Sequence, residues 1–321
     1  MNTHRFCLSL ALLVTAGTAI AQVEKYPTRP VRIVTATPGG GNDFLTRIIQ
    51  GPLGAALNQT IIVDNRPSTF IGPYAAKATP DGYTLVVGGG TLQYRPILEE
   101  VDYDLIKDFA PISQLERSPN VLVVHPSFKA TTLNDLIAMA KAKPKSLRYG
   151  TGGTGGSLHL GGEMFMVATG TQLTRVPYKS TGPALLALLA NETHMVFATA
   201  GGAMGHIRSG RLRAIGVTSA KPFSLIPDIP TLAAQGLKDY DLDTIGFIAA
   251  PSKTSPAIIR VLNQHIVKIM QMPDVKQKLA AGGSEAVSST PEEIAAYLKA
   301  DDAKIRKLVQ SIGLKPIPKK K

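Results

Sequence analysis

Hydrophobic residues along this chain come in short β-branched runs that alternate with stripes at helical spacing. Ile33–Ile49 (IVTATPGGGNDFLTRII) shows the unit complete. Val31 to Val34 reads as a buried strand of a parallel sheet, and Phe44, Leu45, Ile48 and Ile49 recur as one face of a helix. Thr60–Asp64 is a second strand, followed by a helical piece around Ile71–Ala78. Pro80-Asp81-Gly82 turns the chain into a third strand, Tyr83–Val87. Further strands are expected at Asn120–Val124, Lys145–Tyr149, Thr174–Pro177, Met195–Ala198, Ala214–Thr218 and Leu242–Pro251. Ile226–Pro230 reads as an extended connection. Helices are expected at Leu133–Ala142, at Leu158–Val167, near Gly182-Pro183, at Pro256–Met270 and from Pro291 onward. Ile258, Leu262, Ile266 and Ile269, then Ile294, Leu298, Ile305 and Leu308, form core-facing stripes on the last two.

Glycines gather where strands give way to helices. They stand at Gly39-Gly40-Gly41 after Pro38, at Gly88-Gly89-Gly90 before Thr91, and through Gly150-Thr151-Gly152-Gly153-Thr154-Gly155-Gly156-Ser157. A glycine turn that opens a helix leaves main-chain N–H groups unpaired, and with the helix dipole these favour an anion. In an open α/β sheet the ligand crevice lies outside such strand ends. The plainer alternative for each loop is a tight turn, with Asn42 or Asp43 capping the first helix. Gly150, Gly152 and Gly155 fit a GxGxxG spacing, but no acidic residue follows at the distance a dinucleotide ribose requires.

Two α/β units are expected, the second inserted into the first, with the glycine loops of both facing one cleft. The boundaries are 22–120 with 245–321 for the first domain and 121–244 for the second. Residues 1–21 read as a secretory leader: Arg5, an apolar run from Phe6 to Ile20, and a small-residue end at Ala19-Ile20-Ala21. That run is interrupted by Ser9, Thr15 and Thr18 and is shorter than a bilayer span needs. Cys7, the single cysteine, goes with the leader, which excludes a disulfide, a zinc–thiolate site and a thiol nucleophile in the remainder. Loss of Arg5 leaves 34 basic against 23 acidic residues, a net +11. The charges are dispersed apart from Lys319-Lys320-Lys321, and aromatic residues are 6% with no tryptophan, so a nucleic-acid platform is not indicated. A positive field that draws small anions accounts for the balance. No GxSxG, HExxH or P-loop is present. His125, His194 and His265 look like turn or surface residues. His159 and His206 lie beside glycine-rich stretches and are the only candidates for an exported hydrolase or lyase.

A longer set of segments points to a family. They are YPTRPV (Tyr26–Val31), the TPGGGND loop, VDNRP (Val63–Pro67), PDGYTL (Pro80–Leu85), KDFAPI (Lys107–Ile112) and NVLVVHPS (Asn120–Ser127). VPYKSTGPAL (Val176–Leu185), HIRSGRLRAIGVTSAK (His206–Lys221) and PDIPTLAAQGL (Pro227–Leu237) continue the set. With these the chain resembles the periplasmic solute-binding proteins of the tripartite tricarboxylate transporter system, the Bug or TctC family. The resemblance implies an α/β, two-domain, type II-like binding fold, each domain a mixed sheet flanked by helices. It implies a monomer without cofactor or metal that captures a di- or tricarboxylate in the periplasm, for a membrane transporter or for a sensor receptor. One carboxylate would be anchored at Pro38, Gly39, Gly40, Gly41 and Asp43, helped by Gly90 and Thr91. Thr151, Gly153, Gly155, Gly156, Ser157 and His159, with Ala198 and Thr199, would close over the other end. Gly156 replaces the threonine of the usual SGNGTSxH loop, and Ala198 stands where some members carry an acid that could meet an ammonium. Asn191-Glu192-Thr193-His194 replaces a common GGQVD turn, and Ile245 takes a place that is often aromatic. Those departures disfavour an amino-acid ligand and imply a roomier, less polar pocket that leaves aliphatic and aromatic acids open.

Overall fold

The computed structural model describes residues 26–152, 155–311 and 313–318. The leader expected at 1–21, Gly153 and the terminal lysines lie outside the described residues. The chain runs β1 (Val31–Ala36), α1 (Gly41–Leu57), β2 (Ile61–Arg66), α2 (Ser68–Ala76), β3 (Thr84–Gly88), α3 (Gly90–Leu98) and the long β4 (Phe109–Val124). It continues through α4 (Leu133–Ala142), β5 (Arg148–Thr151), α5 (Ser157–Thr169), β6 (Thr174–Pro177), α6 (Thr181–Leu189), β7 (Met195–Thr199), α7 (Ala200–Arg208) and β8 (Arg213–Val217). It returns by β9 (Asp243–Pro251), α8 (Pro256–Gln271), α9 (Pro273–Ala281), β10 (Glu285–Ala286) and α10 (Pro291–Ser311).

The strand order is β2-β1-β3-β9-β4-β7-β5-β6, with β8 and β10 also on β4. Pairing is parallel for β1 with β2 and β3 and for β5 with β6 and β7, and antiparallel wherever β4 or β9 takes part. β4 belongs to both halves. Phe109–Pro119 pairs with β9, and Asn120–Val124 pairs with β7 and β8. Register shifts near Ser113 and Glu116 let so long a strand bend as it passes from one sheet to the other.

Each half buries its own core. In the first lobe one sheet face is covered by α1, α8 and α9 through Ile33, Leu45, Ile49, Leu262 and Leu279. The opposite face is covered by α2, α3 and α10 through Ile71, Leu92, Phe247 and Leu298. In the second lobe Leu122, Tyr149, Phe165, Leu185 and Phe197 form a third cluster. Tyr94, Ile97 and Leu98 of α3 and Ile305 and Val309 of α10 join it, so these two helices lie across the junction. On α10 the buried stripe ends on Val309 instead of the expected Leu308.

Several elements exceed the sequence expectation. β4 starts at Phe109, not Asn120: its first half carries Pro111, Pro119 and polar side chains, and only pairing with β9 makes it a strand. α3 begins inside the glycine loop expected at Gly88–Thr91, and α7 (AGGAMGHIR) and α9 were not foreseen. Glycine and proline lower helix propensity, and packing at a strand end overrides that preference. Ile226–Pro230 is a series of turns, with Ile229 N–H donating to Ile226 O (3.2 Å), and not an extended segment.

Candidate functional site

Six helices begin at the junction of the lobes: α1, α2 and α3 from the first, α5, α6 and α7 from the second. Their N-cap residues are Gly40, Pro67, Gly89, Gly156, Ser180 and Thr199, and none of these makes a side-chain capping hydrogen bond. α4, remote from the cleft, is capped in the ordinary way by a Thr132–Asp135 capping box. Without side-chain caps, the first turns aim the positive ends of six dipoles at one crevice, although the first N–H of α2, on Ser68, is taken by Lys179 O. Gly40, Gly41, Asn42, Ser68, Gly90, Thr91, Ser157, Leu158, Ser180, Thr181 and Thr199 line it together with Ala36, and no lysine, arginine or acid is among them.

The lobes are closed on each other. Ser68 N–H donates to Lys179 O across the crevice (2.9 Å), and the Thr37 and Ser180 hydroxyls are hydrogen-bonded. Glycine permits this approach. A Cβ on Gly41 would fall 2.6 Å from Thr199 Oγ1, and one on Gly156 2.5 Å from Thr91 Oγ1. A Cβ on Gly90 would run into Ser157, and one on Gly182 into the Pro38 carbonyl. The free volume between these residues is about 30 Å³, room on the scale of a water molecule.

The structure gathers the residues expected at the site but divides their roles. Gly40, Gly41, Gly90, Thr91, Ser157 and Thr199 line the crevice. Asp43 does not: it is buried, accepting from Gly39 N–H (3.2 Å), Arg47 Nε (3.0 Å) and Asn65 Nδ2 (2.8 Å), and so braces the Pro38–Gly41 turn from behind. The Gly39 amide is thereby occupied; its φ of +84° is the backbone state that glycine adopts readily. Gly155, at φ +80°, rests against Arg95 of the first lobe.

His159 points into the second lobe instead of the crevice. Its Nδ1 accepts from Gly155 N–H (3.2 Å) and its Nε2 faces Glu163 Oε1 (3.3 Å), which also accepts from Tyr149 OH (2.9 Å). Burial raises the Glu163 carboxyl, but hydrogen bonds from His159 and Tyr149 outweigh it and hold the group below its usual range. His206 sits in the last turn of α7, where burial and then Arg211 push its imidazole down; it does not line the crevice. Thr151 is fully buried, and Ala198 is packed in the second-lobe core across from Val121. Ile245 likewise belongs to the first-lobe core, so it does not enlarge the crevice.

Ser68, Ser180, Thr181, Asn42 and Leu158 line the site without having been singled out. The signal for Ser68, Ser180 and Thr181 was present in VDNRP-S and in KSTGPAL, each a break followed by Ser or Thr at a helix start.

The sequence model described as "Tripartite tricarboxylate transporter family receptor" (TctC) matches residues 45–314. Protein BugT of Bordetella pertussis is 31% identical over 324 residues, covering 98% of this chain and 99% of BugT. The R. palustris protein Rpa4515, solved with adipate, superposes with a TM-score of 0.87 at 30% identity and covers 91% of this chain and 100% of its own. The periplasmic binding protein BugD superposes with a TM-score of 0.87 at 25% identity, over 91% and 100% respectively. The mixed α/β fold is thus shared over about nine tenths of the chain, and the chain belongs to the tripartite tricarboxylate transporter receptor family.

Proposed function

We propose that this protein is an exported, non-enzymatic periplasmic receptor that captures a small di- or tricarboxylate between its lobes. It then presents that acid to membrane subunits of a tripartite tricarboxylate-type transporter. The observation that carries this reading is the convergence of six uncapped helix N-termini on a crevice with no charged side chain. Fixed main-chain dipoles stabilise an anion without the desolvation that a buried lysine or arginine would cost. The net positive charge of the chain favours the approach of anions. Rpa4515, a relative at 30% identity, was solved with adipate, and a linear diacid suits a crevice with N-termini on both sides.

On this reading Gly40, Gly41, Ser68, Gly90, Thr91, Ser157, Ser180, Thr181 and Thr199 contact the ligand. Pro38, Gly39, Asp43, Gly155, Gly156 and His159 shape the loops that do so. The lobes divide at 120/121 and 244/245, and the chain acts as a monomer. Titration calorimetry with mono-, di- and tricarboxylates tests the proposal: at least one di- or tricarboxylate binds in the micromolar range. Failure of every acid to bind more tightly than about 1 mM refutes it.

A further inference from the structure

Beneath the crevice, the second-lobe sheet holds polar side chains that the contacts described so far leave unused. Asn120 opens the second-lobe half of β4 and is directly opposite Thr199 of β7. Opposed residues of an antiparallel pair send their side chains to the same face. Tyr149 of β5 is level with Met195 of β7, so Thr151, two residues on, shares the face of Thr199, four residues on. The same face further along carries Leu122, Phe197 and Met195 and is apolar. Asn120, Thr151 and Thr199 thus share the crevice end of this face, apart from the Tyr149–Glu163 pair further along, and of the three Thr199 lines the crevice itself.

Asn120 and Thr151 are completely buried, and Thr199 lines the crevice. Asn120 Oδ1, Asn120 Nδ2, Thr151 Oγ1 and Thr199 Oγ1 have no hydrogen-bond partner among the described residues. The main chain of Asn120 is satisfied, since its N–H donates to Thr218 Oγ1 and its carbonyl accepts from Thr218 N–H, both at 2.9 Å. Only the side chain is left over, and a buried amide is normally hydrogen-bonded on both its ends.

The chemistry of the missing partner follows. A carboxylate only accepts, so it cannot serve Asn120 Oδ1. An ammonium would need a counter-charge, and no acid lines the crevice. A hydroxyl both donates and accepts, as the carboxamide does. Resting on the carboxylate reading above, we infer that Asn120, with Thr151 and Thr199, reads a neutral hydroxyl on the captured acid, making Asn120 a specificity-determining residue of the cleft.

The test uses N120L, close to asparagine in shape but apolar, in the full mature chain. Calorimetry compares a diacid with its hydroxylated partner, succinate with malate, or tricarballylate with citrate if tricarboxylates bind better. Wild type is expected to hold the hydroxy acid about tenfold more tightly. N120L is expected to lose that tenfold, to keep its affinity for the plain acid, and to unfold at the same or a higher temperature. Losing an unpaired buried amide is neutral or stabilising unless the ligand used it. If N120L does not fold, N120A takes its place with the same expectations. Unchanged hydroxy-acid affinity, equal weakening for both acids, or a wild type that treats the pair alike overturns the inference and leaves the receptor function standing. A wild type that holds no carboxylate at all removes both.

Discussion

Gly182 sits in the first turn of α6, facing the Pro38–Gly39 turn of the other lobe. A Cβ there would lie well inside 3.0 Å of the Pro38 carbonyl oxygen and 3.0 Å from Gly39 C, whereas ordinary contact begins near 3.4 Å. Both obstacles are backbone, so Gly182→Ala cannot be absorbed by a rotamer change. α6 must withdraw by roughly 1 Å, and overpacking of that order costs about 1–3 kcal/mol. The cost falls on the closed form alone, since lobes that part remove the contact. Alanine in place of glycine in a helix otherwise stabilises by up to about 1 kcal/mol. The ligand-free unfolding temperature should therefore hold or rise while the dissociation constant grows by about 5- to 150-fold. Calorimetry gives the affinity, and small-angle scattering with and without ligand gives the compaction. Gly205→Ala on α7, where a Cβ meets nothing within 4 Å, is the control and should bind as wild type. Wild-type affinity and full compaction in G182A would refute the view that capture requires these two turns to meet.

Two further outcomes follow from buried polar groups. Glu116 lies in the strand joining the lobes, and complete burial raises its carboxyl to about 7. Because the folded value exceeds the unfolded one of 4.5, the stability present below about pH 4.5 erodes as pH rises and is lost once pH passes about 7. Denaturant unfolding across pH 4–8 should show Glu116→Gln gaining on wild type by up to about 3 kcal/mol at the alkaline end, and a constant difference would contradict the assignment. His159→Ala removes the acceptor of the Gly155 N–H and a partner of Glu163, which should cost about 1–3 kcal/mol and expose the Gly155 amide to hydrogen exchange. Undiminished protection of that amide would mean that the loop does not depend on His159.

The sequence by itself settled the alternation of strands and helices, the helical stripes and the places where glycine opens a helix. These depend on local periodicity and turn chemistry, which are written in consecutive residues. It also carried the family, through ordered segments spread along the whole chain. Tertiary structure decided which of the marked residues face the crevice. Asp43 and His159 read as ligand contacts in one dimension, yet both turn inward and hold a loop by accepting the Gly39 and Gly155 amides. Ser68, Ser180 and Thr181 joined the site because helices distant in sequence start at the same point in space. The first half of β4, with Pro111 and Glu116, became a strand only through β9. Partners far along the chain determine whether a polar side chain meets solvent, a ligand or another loop, and no local pattern encodes them.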